Sequence, residues 1–213
     1  MGSYQYILLD WDGNLAKTTQ IWLDSTIIVL KRNNYKHDKQ LVLKGLSDLH
    51  SFFLELGVSN IQEVVDEIKL EVHRLVPKIE LYPDAIYVLE TLESLGKQLA
   101  LITTSHRHLI FPVLKRFNLS NLFRVVITRD DVSKPKPHPE PLEKAIKQLG
   151  ATKNKTIMIG DSAADLAAAN SAGVDSILFF PPEHESFHDI NKLKEHKPTY
   201  IVSDFRHIIE IIG

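Results

Sequence analysis

A chain of 213 residues, 44% hydrophobic and 24% charged, holds enough apolar side chain for one large core or a core with an insertion, and is neither disordered nor collagen-like. Its 25 basic and 27 acidic residues leave a formal charge of −2, too balanced for a chain whose main partner is a nucleic-acid backbone or an anionic membrane. The absence of cysteine removes disulfides, thiolate zinc sites and thiol nucleophiles together, and agrees with a reducing, cytoplasmic setting.

The start, Met1-Gly2-Ser3-Tyr4-Gln5, lacks a basic leader with a long apolar run, and no apolar stretch approaches the ~20 residues of a bilayer span, so neither secretion nor membrane insertion is expected. Residues 6–9 form the first short apolar run and read as a buried strand entering Asp10-Trp11-Asp12-Gly13-Asn14. Residues 16–80 then carry only helical spacing. Ile21, Trp22, Leu23, Ile27, Ile28 and Leu30 mark a first amphipathic segment, and Leu41, Leu43, Leu46, Leu49, Phe52 and Phe53 a second. Ile61, Val64, Val65, Ile68 and Val72 mark a third, opened by the capping-box candidate Ser59-x-x-Gln62. Trp22 and Tyr35 in this stretch read first as packing residues and only then as pocket lining.

Beyond residue 80 strands and helices alternate. Strands are predicted at 99–102, 124–127, 156–159, 176–180 and 199–202, and helices at 83–95, 108–117, 139–149, 163–172 and 204–211, with Gly96, Gly150 and Gly173 as stop signals. Such alternation implies an α/β fold with a doubly wound, Rossmann-like parallel sheet. The predicted architecture is therefore a core of residues 1–15 and 81–213 with an inserted all-helical cap subdomain over 16–80.

Open α/β sheets bind ligands outside the carboxyl ends of their strands. Four polar clusters fall there: Asp10-Trp11-Asp12-Gly13-Asn14; Thr103-Thr104-Ser105; Lys134-Pro135-Lys136-Pro137-His138-Pro139; and Gly160-Asp161-Ser162-Ala163-Ala164-Asp165. Each alone is explained by turns, helix caps or a solvated lysine. Jointly they gather up to four carboxylates, a hydroxyl and a lysine on one rim, and close carboxylates repel unless a proton or cation intervenes. Oxygen donors without cysteine favour a hard ion such as Mg²⁺.

The ordered set resembles the haloacid dehalogenase (HAD) superfamily, in particular phosphatases of the phosphoglycolate-phosphatase type. Asp10-Trp11-Asp12-Gly13-Asn14-Leu15 is similar to the first motif, with Asn14 where Thr is commoner; Leu101-Ile102-Thr103 is similar to the second, and Gly160-Asp161-Ser162-Ala163-Ala164-Asp165 to the fourth. Lys134 and Lys136 both satisfy the third motif, Lys-Pro-x-Pro, and Glu140 after the second proline favours Lys136. The insertion resembles the superfamily's helical cap, and Leu81-Tyr82-Pro83-Asp84-Ala85 the return to the core.

The resemblance implies a Mg²⁺-dependent phosphatase hydrolysing a small phosphate monoester, phosphoglycolate by default, through an aspartyl-phosphate. In that reading Asp10 is the nucleophile and Asp12 the general acid and base. Thr103, beside Thr104, and Lys136 hold the phosphoryl oxygens. The metal sits on Asp10, the backbone carbonyl of Asp12 and Asp161, with Asp165 orienting its surroundings. The partner is a small phosphorylated metabolite, with no nucleic acid and no membrane, as monomer or homodimer. Phosphomutases and phosphonate hydrolases share most of these motifs. A receiver-like signalling domain has its acidic pair, acceptor and lysine in another chain order, and a silent interaction domain on the same scaffold would hydrolyse no ester.

Two further patterns point less firmly to chemistry. His184-Glu185-Ser186-Phe187-His188 fits the zincin pattern, but follows Pro181-Pro182 in a connection with no long apolar helix, so a zinc protease is set aside. His106, Arg107 and His108 read as an exposed polar helix start, and the alanines at 163, 164 and 167–169 as close helix-to-sheet packing.

Overall fold

Six short runs of aliphatic residues supply one sheet: β1 (Tyr6–Leu9), β2 (Gln98–Ile102), β3 (Phe123–Ile127), β4 (Thr156–Gly160), β5 (Asp175–Phe179) and β6 (Tyr200–Val202). The computed structural model behind this description covers residues 4–46 and 49–213. Met1, Gly2 and Ser3, on which the reading of the chain start rested, and residues 47–48 of the second amphipathic segment lie outside the described residues. All strand pairs are parallel, in the order β3-β2-β1-β4-β5-β6, with Leu8 opposite Ala100 on one side and Met158 on the other. Ile7, Leu8 and Leu9 are fully buried, as a strand covered on both faces requires, which is why β1 reads as an unbroken apolar run. This is the predicted doubly wound sheet. Its strand order reverses between β1 and β4, and a crevice for ligands opens beyond the carboxyl ends at such a switch point.

The chain divides into two compact units, Lys17–Glu80 and Met1–Ala16 with Leu81–Gly213. The first holds α1 (Thr19–Arg32), α2 (Lys39–Gly45), α3 (Leu49–Glu55), α4 (Ile61–Leu75) and a 3₁₀ turn at Val76–Lys78. Leu23, Val29 and Leu30 of α1 and Val64, Ile68 and Val72 of α4 are buried, and Arg32 pairs with Glu71 across these helices at 3.2 Å. Its backbone ends meet where Lys17 N–H donates to Glu80 C=O.

Sequence pattern and structure differ at two places in this unit. The second amphipathic segment is two helices, α2 being capped by Asp38, whose carboxylate accepts from the N–H groups of Gln40 and Leu41. The capping box on Ser59 and Gln62 does not form: α4 starts one residue later, at Asn60, whose side-chain amide donates to Glu63 while Gln62 bonds Asp66.

The sheet-bearing unit adds α5 (Ala85–Ser94), α6 (Arg107–Arg116), α7 (Glu140–Leu149), α8 (Ala163–Ala172), α9 (Ile190–Lys194) and α10 (Arg206–Ile212). Ala168, Ala169 and Ala172 of α8 pack with Leu8, Ala100 and Met158 from three strands and with Leu142 and Ala145 of α7. Their small side chains let α8 settle close against the sheet, the packing role read from the sequence for Ala168 and Ala169, whereas Ala163 is exposed and Ala164 and Ala167 are half-buried. The five-residue α9 had no sequence signal; it buries Leu193 against Leu166, Leu178 and Phe180. Among the described residues no helix is long and apolar enough to cross a membrane.

Candidate active site

Asp10 follows directly on β1. Its N–H donates to Ile159 C=O at 2.9 Å, so it stays tied to β4, and Asn14 reinforces the join. The buried Asn14 amide donates to the C=O groups of Asp10 at 3.0 Å and Ile159 at 3.3 Å, two bonds that the commoner Thr, with one O–H, cannot make together.

The strand does not continue through Asp12. The N–H groups of Leu15 and Ala16 both donate to Trp11 C=O, closing a turn around Asp12. The Asp12 carboxylate accepts from Ser105 Oγ at 2.7 Å and Thr103 Oγ1 at 3.4 Å, beyond the end of β2.

Gly13 sits in this turn at φ +76°, and a Cβ there would lie 2.2 Å from Asp161 Oδ2. The backbone of the first acidic cluster is pressed against the carboxylate of the fourth, leaving no room for a side chain.

Asp161 follows β4, and Ser162 caps α8 in a reciprocal box: its N–H and Oγ donate to Asp165 Oδ2 at 3.1 and 2.6 Å. The other Asp165 oxygen accepts from Lys136 Nζ at 2.6 Å. The same ammonium donates to Asp10 Oδ1 at 2.5 Å and Ile102 C=O at 3.0 Å, so its three protons are spoken for. Lys136 is buried, whereas Lys134 is exposed and enters the local network through its backbone N–H, which Glu140 accepts together with that of Ser133.

One oxygen from each of Asp10, Asp161 and Asp165, all buried, lies within 4.8 Å of the others. Three carboxylates against one ammonium leave two formal negative charges in a buried place. Burial and the neighbouring Asp165 push the Asp10 carboxyl well above the usual range, against the pull of Lys136. Burial raises Asp161 likewise, with His188 opposing. Burial alone would lower Lys136, but Asp10 and Asp165 outweigh it and raise the ammonium above its ordinary value. The residues fit a hard divalent cation: all donors are oxygen, and the excess charge is one such an ion cancels. Asp10 and Asp161 are the carboxylates placed to hold it, since both oxygens of Asp165 are engaged by Lys136 and Ser162.

Of the residues singled out in the sequence, Asp10, Asp161, Asp165 and Lys136 meet in one cluster, while Asp12 and Thr103 meet beside it. Thr104 is exposed and has no part in either set of bonds. Ser105, which holds Asp12, was named in the second polar cluster but given no role; its place two residues after Thr103 was the available signal. The zincin-like segment is not an α-helix. Pro182–Ser186 forms a 3₁₀ turn, yet His184 and His188 both face Asp161, and burial pushes the His184 pKa down to about 3.

Known proteins of the same kind span nearly the whole chain. The chain is 29% identical over 212 residues to "Pyrophosphatase PpaX" of Halalkalibacterium halodurans, covering 97% of this chain and 96% of that protein. The protein of the same name from Oceanobacillus iheyensis is 30% identical over 215 residues, covering 99% and 98%. Among solved structures, a haloacid dehalogenase-like family hydrolase from Streptococcus pneumoniae matches with TM-score 0.84 at 20% identity over 100% of both chains, showing the same fold. A predicted phosphoglycolate phosphatase from Haemophilus somnus matches with TM-score 0.81 at 23% identity, again over 100% of both. The family model "haloacid dehalogenase-like hydrolase" matches residues 7–179, from β1 through β5 and so across every residue of the acidic cluster. The chain belongs to the haloacid dehalogenase-like hydrolase family.

Proposed function

We propose that the chain is a Mg²⁺-dependent phosphatase that takes a phosphoryl group from a small phosphorylated metabolite through an aspartyl-phosphate on Asp10. The observation that carries this reading is the buried Asp10 at the switch point of the sheet, with Lys136 Nζ at 2.5 Å and Asp161 and Asp165 close by.

The chemistry follows from the groups in place. An Asp10 oxygen attacks phosphorus, a P–O bond forms, and the bond to the leaving oxygen breaks as Asp12 gives that oxygen a proton. Asp12 then takes a proton from water as the water oxygen attacks phosphorus, and Asp10 leaves as a carboxylate. Ser105 and Thr103 hold the Asp12 carboxylate by hydrogen bonds, in a role distinct from that of Asp10. Lys136 neutralises charge beside Asp10, and Asp165 fixes the lysine. Mg²⁺ held by the Asp10 and Asp161 carboxylates with the Asp12 carbonyl would add positive charge where phosphoryl oxygens gather. The unit Lys17–Glu80 is read as the cap that selects substrates. Such a protein acts in the cytoplasm, as monomer or homodimer, without nucleic acid or membrane.

The relatives named pyrophosphatase support inorganic diphosphate as a candidate beside monoesters such as phosphoglycolate. The test is a panel of phosphate monoesters and diphosphate, with and without Mg²⁺, beside Asp10→Asn. Phosphate release that requires both the metal and Asp10 is expected. Undiminished release by Asp10→Asn rejects Asp10 as nucleophile, and a phosphorylated isomer without free phosphate marks a phosphomutase.

A further inference from the structure

The segment between β5 and α9 holds two histidines that the proposed chemistry does not use. His188 N–H donates to His184 C=O within one turn, and the two rings lie 5.9 Å apart at 68°. Both turn to one atom: His188 Nε2 lies 3.5 Å and His184 Nδ1 4.0 Å from Asp161 Oδ2.

His184 is 1% exposed and fixed edge-on among Tyr82, Phe179 and Phe180. Its Nε2 shares a 2.7 Å hydrogen bond with the Tyr82 hydroxyl, while its Nδ1 has no hydrogen-bond partner. A buried ring nitrogen left without a partner is costly, so the orientation that turns it to Asp161 calls for an explanation. The carboxylate in front of Nδ1 favours the tautomer with the proton there, leaving Nε2 to accept from Tyr82. Gly13 leaves no space for even a methyl group beside the same Oδ2. The Asp161 carboxylate therefore has a glycine backbone and two imidazoles as neighbours, one imidazole held among aromatic rings.

We propose that His188, braced by His184, is a positioning residue for Asp161, holding that carboxylate in the orientation that receives the divalent cation. The inference rests on the reading of Asp161 as a ligand of that cation. It assigns the Pro181–His188 segment to the cation site instead of to a protease-like zinc site. Groups that hold a ligating side chain in place typically change metal affinity 10- to 100-fold when removed.

The test measures Mn²⁺ binding to the metal-free full-length chain by electron paramagnetic resonance, for the wild type, Asp161→Asn, His188→Ala and His188→Gln. Apo melting temperatures are recorded alongside. The wild type should bind, and Asp161→Asn should not. His188→Ala should bind roughly 10-fold or more weakly with little change in apo melting temperature, and His188→Gln, which keeps an N–H near the position of Nε2, should recover most of the affinity. Wild type that binds no Mn²⁺, or Asp161→Asn that binds like wild type, rejects the cation site and the inference with it. If Asp161→Asn fails while His188→Ala matches wild type, or if Gln is as poor as Ala, the cation site stands and the positioning role of His188 is overturned.

Discussion

Replacing Gly13 with alanine separates the stability of the fold from the geometry of its acidic cluster. Two effects act at this residue. A left-handed φ of +76° costs a non-glycine residue roughly 1–2 kcal/mol, which in a chain of this size lowers the melting temperature by about 2–8 °C. The added Cβ would also lie 2.2 Å from Asp161 Oδ2, where such atoms essentially never come within 3.0 Å, so the carboxylate must retreat by about 0.8 Å. The atom in the way is the tip of a side chain, so the fold yields easily and the displacement falls on the cation site. A misplacement near 1 Å costs on the order of 100-fold in rate. Thermal melting of the apo protein, Mn²⁺ binding and kcat/KM with Mg²⁺ together check this: a modest loss of stability should accompany a large loss of binding and turnover. A Gly13→Ala protein that melts as expected but binds and turns over like wild type would refute the claim that glycine is required there by Asp161.

Lys136→Met strips the buried cation from Asp10 and Asp165 and should destabilise by roughly 3–5 kcal/mol with loss of activity, whereas Lys134→Met should stay within about 0.5 kcal/mol of wild type in denaturant titrations. Asp10→Asn should abolish turnover yet raise the apo stability at neutral pH by about 0.5–2 kcal/mol. The sign follows from linkage: the folded Asp10 pKa lies above its unfolded value, so its ionisation penalises the fold as pH rises from about 4, and the gain should vanish at lower pH. Asn14→Ala removes the side-chain donor to Asp10 C=O, while Ile159 C=O keeps its bond from Asp10 N–H, and should cost about 1–3 kcal/mol in chemical denaturation. Excess Mg²⁺ should raise the melting temperature of wild type and not of Asp161→Asn, with about 2.7 kcal/mol expected at 100 times Kd.

Much of the core was legible because its signals are local. The strand runs at 6–9 and 156–159 are apolar for the same reason that Ile7, Leu8 and Met158 are buried on both faces of the sheet, and α8 was readable residue for residue between Ser162 and Gly173. Asp10, Asp161 and Lys136 were found because they follow strand ends, which a parallel sheet brings to one edge. What stayed hidden depends on which residues meet across the fold. Nothing local says that Gly13 abuts Asp161, that Ser105 holds Asp12, or that an amide at position 14 joins two strand ends. The histidines at 184 and 188 were visible as a pattern whose zincin template was set aside, but nothing local says that their rings face a carboxylate 23 and 27 residues earlier in the chain.

The central claim is that Asp10 itself receives the phosphoryl group. Rapid acid quench during turnover of the best panel substrate, followed by mass mapping of the segment around β1, tests it directly. A phosphoryl adduct on Asp10 is expected, accumulating further in Asp12→Ala and absent in Asp10→Asn. An adduct on another residue, or turnover with no adduct and inverted configuration at phosphorus, would contradict it.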